Sequence, residues 1–190
     1  SNTELNIIYR THPNPFSISV PGVSSDLLEV KCSHAKVIKQ ADGQWIINPP
    51  KNTPDRLTIE VYANVNGTML AMGAQEYRVR DLPKPSAYFE VDGELIDEGK
   101  VSFVKLKNPN NKFIASYGAD GLVQAKFEIV SFQVRLPSGT SISVQGNQFN
   151  KRALDAISKL QLGSTIIIMS IKAKGQDGAE QSLKSLVIEL

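Results

Sequence analysis

The chain holds a single cysteine, Cys32, among 190 residues. No intrachain disulfide can form, so a disulfide scaffold is excluded. That fits the cytosol, or a periplasmic protein that does not rely on disulfides. Histidine is almost as scarce, with only His12 and His34. A Ser-His-Asp triad therefore has little to draw on. The sequence also has no G-x-S-x-G elbow, no G-x-G-x-x-G and no P-loop, and no cofactor is expected. An excess of one charge is missing too: 21 Lys+Arg stand against 19 Asp+Glu, a formal net charge of +2, and the basic residues are scattered. That balance gives no reason to invoke nucleic acid or an anionic membrane. No apolar stretch approaches the roughly 20 residues a membrane helix needs; the longest, around residues 165–169, is strand-sized. The chain starts at Ser1 rather than Met, which reads as a processed or truncated product, with Ser1-Asn2 as an expression scar and any anchor upstream.

What is present is β-type turn chemistry. Asp42-Gly43, Asn66-Gly67, Asp92-Gly93, Ser138-Gly139 and Asp177-Gly178 each lie between strand-like runs. Such dipeptides supply the positive-φ residues that tight hairpins need. Residues 57–65 alternate cleanly, with Leu57, Ile59, Val61, Ala63 and Val65 on one face of a half-buried strand. Asn66-Gly67 then turns the chain into residues 68–72. Residues 44–48, with the only tryptophan, pair with 35–40 across Asp42-Gly43, and 16–20 form another short strand. Many short strands without a helical period predict an immunoglobulin-like β-sandwich.

The second half is also β-rich, with one helix. Asn150 is a good N-cap, Ala153, Leu154, Ile157 and Leu160 share one side of a helix over about 151–161, and Gly163 is placed to end it. The apolar strand at 164–173 is expected to be buried on both faces, one of them under the helix. A final strand is expected over 183–190. In residues 123–136 the apolar positions switch from odd to even between Ile129 and Val130. Either a β-bulge or burial on both faces near the centre accounts for that. Residues 99–121 are hard to read, apart from a loop at Asn108-Pro109-Asn110-Asn111.

Between the halves runs Tyr77-Arg78-Val79-Arg80-Asp81-Leu82-Pro83-Lys84-Pro85. Proline fixes φ and restricts the residue before it. Leu82, Pro83, Lys84 and Pro85 thus read as a short, stiff, extended hinge or linker. The expected organisation is mainly β: two tandem β-sandwich-like domains at 1–82 and 86–190, joined by a proline-rich linker at 83–85.

Candidate chemistry is sparse. Cys32 and His34, two apart, would share a face of a strand, but His12 in a loop is the only other histidine, and zinc usually takes four such ligands. Glu90, Asp92, Glu94, Asp97 and Glu98 surround a hairpin; paired carboxylates can cleave glycosides, yet acidic residues are common at solvated turns. Their spacing does not match an EF-hand loop. Asn66-Gly67-Thr68 matches a glycosylation sequon at a turn that needs those residues anyway. Trp45 and Tyr62 could form a sugar-stacking platform, although aromatics on strands usually pack in cores. No catalytic or metal-binding residue is assigned.

Three segments carry a family resemblance: Tyr9-Arg10 followed by Asn14-Pro15-Phe16-Ser17-Ile18-Ser19-Val20-Pro21-Gly22-Val23; the linker run from Tyr77 to Pro85; and Phe149 to Leu162, Gly163, then Ile171 to Gly178. They resemble the penultimate and last periplasmic domains of the GldM/PorM family. The resemblance implies a non-enzymatic component of the type IX secretion and gliding machinery of Bacteroidetes. It further implies a periplasmic homodimer, anchored in the inner membrane by an N-terminal helix that meets a GldL/PorL partner. Its far end would reach an outer-membrane-associated ring of GldK/PorK and GldN/PorN type. Two other readings stand beside it: a carbohydrate- or protein-binding β-sandwich pair from a surface protein, and an enzyme acting through the acidic turn.

Overall fold

The computed structural model describes residues 6–118 and 125–190. The chain divides into two compact units, residues 1–83 and 84–190.

The first unit begins with β1 (Ile7–Tyr9), β2 (Asn14–Ser17), β3 (Leu28–Cys32), β4 (Val37–Lys39) and β5 (Gln44–Ile47). Two long strands follow, β6 (Arg56–Val65) and β7 (Thr68–Arg80). One sheet runs β1-β7-β6-β3 and the other β2-β5-β4. The Asn66-Gly67 turn has φ of 53° and 81°, the pair of positive values a type I′ hairpin requires. It fixes the β6–β7 register, with Val65 opposite Thr68 and Ala63 opposite Leu70. The expected alternation of β6 holds at Leu57, Ile59 and Ala63, which are buried, but Val65 at the tip is exposed. The β4–β5 hairpin forms across Asp42-Gly43 as expected. The strand expected over 16–20 is shifted: β2 ends at Ser17, and Val20 makes only an isolated bridge to Val23. The first unit's buried side chains include Ile8, Ile47, Leu57, Ile59 and Val79, and a second cluster of Leu28, Trp45 and Ala63.

The second unit contains β8 (Ser86–Val91), β9 (Glu94–Ile96), β10 (Glu98–Lys100), α1 (Phe103–Leu106) and β11 (Lys112–Ser116). After these come β12 (Glu128–Arg135), β13 (Ser141–Gln145), α2 (Lys151–Ser158), β14 (Thr165–Lys174), β15 (Glu180–Leu183) and β16 (Leu186–Glu189). One sheet runs β10-β16-β14-β12-β13, with β15 also on β14; the other is β11-β8-β9. Four phenylalanines lock the interior: Phe113 lies 4.7 Å from Phe89 and 4.6 Å from Phe132 between ring centroids, with Phe149 edge-on at 5.2 Å. Ala153 and Ile157 of α2 join Ile166, Ile168, Ile171 and Ile188 in the same core.

Several expectations are corrected. The described residues of the second unit hold two helices rather than one: Ser102 accepts from the Lys105 amide at 3.3 Å and starts the single turn of α1. Such a turn is too short to show a period. Asn150 caps α2 as expected, accepting from the Ala153 amide at 2.8 Å. The helix stops at Ser158 rather than 161, and Gly163, at φ 86°, donates instead to the Leu190 carbonyl. The strand β14 is fully buried on one face only; Ile167 and Met169 are half-buried. The expected C-terminal strand is split, because β15 and β16 pair with opposite ends of β14. The phase switch in β12 is a bulge: its register against β14 slips at Ser131, so Ile129 and Phe132 both point inward. Residues 123–124 of that run lie outside the described residues.

Truncating Phe113 tests whether the core of the second unit is its own. We expect Phe113→Ala to destabilise this unit by about 3–5 kcal/mol. Trp45, the only tryptophan, belongs to the first unit. In urea, the far-UV circular dichroism should show an early transition while the Trp45 fluorescence midpoint stays put. A shared shift of both signals would contradict independent cores.

Candidate functional site

The segment at the end of β7 is held from one residue, Arg10. β1 lies parallel to the end of β7, with Ile7 opposite Arg78 and Tyr9 opposite Arg80. The Arg10 amide donates to the Arg80 carbonyl at 2.9 Å, which brings its side chain over the strand end. Its guanidinium then spreads three ways. Nε donates to the Thr53 carbonyl at 2.7 Å, Nη2 to Asp55 at 2.7 Å and Nη1 to Asp81 at 3.2 Å. Only 12% of the Arg10 side chain is exposed, against 84% for Asp55 and 82% for Asp81. The hydrogen bond that Arg10 donates to Asp55 is the main influence raising the Arg10 pKa above its ordinary value; burial opposes it and Asp81 adds to it. A planar fork with five donors suits this three-partner grip, and lysine could not reproduce it.

Asn14 secures the loop next to it. Its side-chain carbonyl accepts from the Tyr9 amide at 2.9 Å, and its amide donates to the carbonyls of Tyr9, His12 and Ile47. Both N–H donors, one of them shared between two carbonyls, and one acceptor position of a single amide side chain are thus used to close a turn. His12 sits in this loop, 7% exposed, and its Nδ1 has no hydrogen-bond partner among the described residues. Burial pushes its pKa below the ordinary histidine value.

The run from Asp81 to Pro85 has no regular secondary structure, and β8 begins at Ser86. Pro83 and Lys84 are exposed, Leu82 is half-buried and Pro85 is buried. The sequence pointed to these four residues and to the motifs containing Arg10 and Asp81. It did not reveal the pairing of Arg10 with Asp81, 71 positions away.

The chemistry-bearing candidates are dispersed. Cys32 ends β3, whereas His34 lies in a turn at φ 69°, so the two do not share a strand face as expected. β3 has already ended at Cys32 when His34 is reached, and the positive φ of His34 carries the chain further from the strand path. The Cys32 thiol donates to the Ser33 carbonyl, and burial raises its pKa, which disfavours a reactive thiolate. Among the described residues no group of three His, Cys, Asp or Glu could hold a metal ion. The acidic turn is solvated. Asp92, Glu94, Asp97 and Glu98 are exposed, Glu90 lies 3.9 Å from Lys112, and Asp92 lies 3.7 Å from Lys105. Trp45 is 4% exposed within a core cluster, so it offers no open platform to a sugar. Tyr62 instead donates to Glu60 at 2.7 Å and carries Lys31 over its ring.

Two predictions concern this end of the first unit. Arg10→Ala should cost about 2 kcal/mol, because it strands a buried carbonyl and removes charge-assisted bonds. Asp81→Asn, at an exposed position, should cost under about 1 kcal/mol. Trp45 fluorescence in urea reads both, and equal costs would overturn the buried-fork account. For His12 the folded pKa lies below the unfolded value of about 6.5. The unfolded chain therefore takes up the proton first, and stability present above about pH 6.5 is lost as the pH falls below it. The wild-type minus His12→Gln difference in stability should shrink on going from neutral to acidic pH. A flat difference would rule out this role for His12.

A family model described as the GldM third domain matches residues 1–80, and one described as the GldM C-terminal domain matches residues 83–190. No curated protein matches the chain. Among solved structures, the C-terminal domain of the AgI/II polypeptide BspA of Streptococcus agalactiae aligns over 94% of this chain and 83% of its own, at 12% identity and a TM-score of 0.26. That likeness is too slight to bear on fold or function. The two family models fall in order on the two compact β units, with the proline junction at their boundary, and the chain belongs to the GldM family.

Proposed function

We propose that this chain is the distal part of a periplasmic shaft that carries motion from an inner-membrane motor to an outer-membrane-associated ring. As a GldM-family chain it is a component of the gliding and type IX secretion machinery. In this reading it works as a homodimer, meets ring subunits of GldK/PorK and GldN/PorN type at its far end, and is anchored upstream by a helix that associates with a GldL/PorL partner. The source would be a member of the Bacteroidetes.

The observation that carries the reading is the match of two consecutive GldM domains to two β units with separate cores. The linker chemistry supports it. Pro83 and Pro85 restrict Leu82 and Lys84 to extended conformations, so little backbone freedom is left for a load to be lost in. The role is non-enzymatic in this reading, which accords with the dispersal of the acidic and Cys/His candidates. Leu82, Pro83, Lys84 and Pro85 act as a stiff joint rather than as a ligand site.

The test pairs binding with stiffness. The chain should bind purified ring subunits of its own species saturably and give no signal on a glycan array. In cells, Pro83→Gly with Pro85→Gly should lower type IX secretion severalfold while both units stay folded. Pro85 is buried, so the second unit of that variant should lose about 1 kcal/mol, and Pro83→Gly alone separates the joint from this packing loss. Normal secretion in the double variant would sink the stiff-joint idea. Glycan binding without ring binding would favour the surface-module reading.

A further inference from the structure

Among the described residues, the outer edge of β7 is open over most of its length. β7 has 13 residues, and among the described residues β1 covers only 78–80 on that side. Every residue from Thr68 to Glu76 is exposed. Four large apolar side chains cluster exposed at this end of the hairpin: Val65, Met69, Leu70 and Met72, at 37–43% exposure. Natural edge strands are commonly blunted with lysine or proline, and residues 68–77 contain neither.

The hydrogen-bond phase shows which groups face outward. The Arg78 amide donates outward to Asn6 of the segment leading into β1. In an antiparallel ladder, outward groups recur every second residue, so Glu76 and Ala74 also face out. From the other end, the two-residue turn makes Val65 and Thr68 the closing pair, which leaves Met69 and Ala71 facing out. Between Ala71 and Gly73 the register against β6 slips by one, with Met72 as the extra residue. That slip gives the outward set a symmetry. Reversed, Met69 falls on Glu76 and Ala71 on Ala74, with one axis between Met72 and Gly73.

We propose that β7 pairs with β7 of a second copy of this chain, antiparallel about that two-fold axis. Met69 then faces the partner subunit's Glu76, and Ala71 faces the partner subunit's Ala74. All four of these pairs have both backbone groups pointing at each other, so each can exchange two hydrogen bonds. An isologous contact needs this self-complementarity. Charge favours a like strand: Glu76 is the only charged residue in 68–77, and Arg56 already holds it at 2.6 Å. A second copy thus brings no like-charge conflict, and it covers Leu70 and Met72. The inference rests on the homodimer reading above and assigns its interface in the first unit.

The experiment is sedimentation equilibrium on the 190-residue chain and two variants. Ala74→Pro deletes an outward N–H that the hairpin itself does not use, a position where edge strands accept proline. Met69→Lys places a charge on the exposed edge. Each should weaken dimerisation at least tenfold, roughly 1.4 kcal/mol, while circular dichroism and Trp45 fluorescence keep their wild-type form. Ala71→Cys with Ala74→Cys, in a Cys32→Ser background, should yield a covalent dimer with a short bis-maleimide. A wild-type dimer that neither variant weakens and that does not crosslink overturns the β7 pairing and leaves the homodimer reading standing. A wild-type chain that is monomeric at every concentration also overturns it. Co-purification of two differently tagged copies of the membrane-anchored protein then judges the homodimer reading separately.

Discussion

The first unit depends on β7. This strand forms the unit's long hairpin with β6, receives β1 at its far end, and runs directly into the linker. Its register is set at one end by the two positive φ values of Asn66 and Gly67 and at the other by the Arg10 fork. Between these fixed points the strand has to accommodate one surplus residue, and it does so with the slip at Met72. The core-facing positions are therefore filled from both ends. Val79 is fully buried near the clamp, whereas the residues toward the hairpin tip extend past the core and stay exposed.

The second unit is stabilised differently. Among its described residues there is no comparable charged clamp; its surface ion pairs, such as Lys100 with Glu189 at 3.4 Å, are exposed and contribute little. Its order comes from close packing around Phe113, where rings from β8, β11, β12 and the segment before α2 converge. Bulky aromatics in edge-on and stacked contact fix the spacing of the two sheets. The slip at Ser131 keeps β12 in that packing by turning Phe132 inward where a regular strand would turn it out.

Local chemistry was legible in the sequence, and distant pairing was not. The alternation of residues 57–65, the Asn-Gly and Asp-Gly turns and the Asn150 cap each act within a few residues, and the structure keeps them apart from Val65, which is exposed at the hairpin tip. The three-residue strands β1 and β10 pair in parallel with β7 and β16 across long stretches of chain, and three residues cannot show a period. Helix α1 escaped for the same reason. The linker prolines were plain to read, but the burial of Pro85 depends on what surrounds it. The Arg10 fork was hidden because its partners, Thr53, Asp55 and Asp81, come together only once β1 has docked on β7. The position of His34 was misread because nothing local announces a positive φ at histidine.

The parallel pairing of β1 with β7 has a mechanical consequence. The segment leading into β1 and the segment leaving β7 emerge at opposite ends of the same strand pair. Tension between them pulls the two strands past each other along their length. The crossing bonds, from the Arg78 amide to Asn6 and from the Arg10 amide to Arg80, lie across that direction and are loaded together rather than one after another. The Arg10 side chain adds three bonds that resist the same displacement, at the point where the chain passes into the proline segment. Resistance to force is governed by the rate of unfolding rather than by equilibrium stability. A short strand pair closed by a buried arginine can therefore hold a load that its modest share of the folding free energy would not suggest. An antiparallel pair would bring both segments out at the same end, where tension breaks one bond at a time. The parallel arrangement, more than the size of the core, suits this unit to carrying force along the chain.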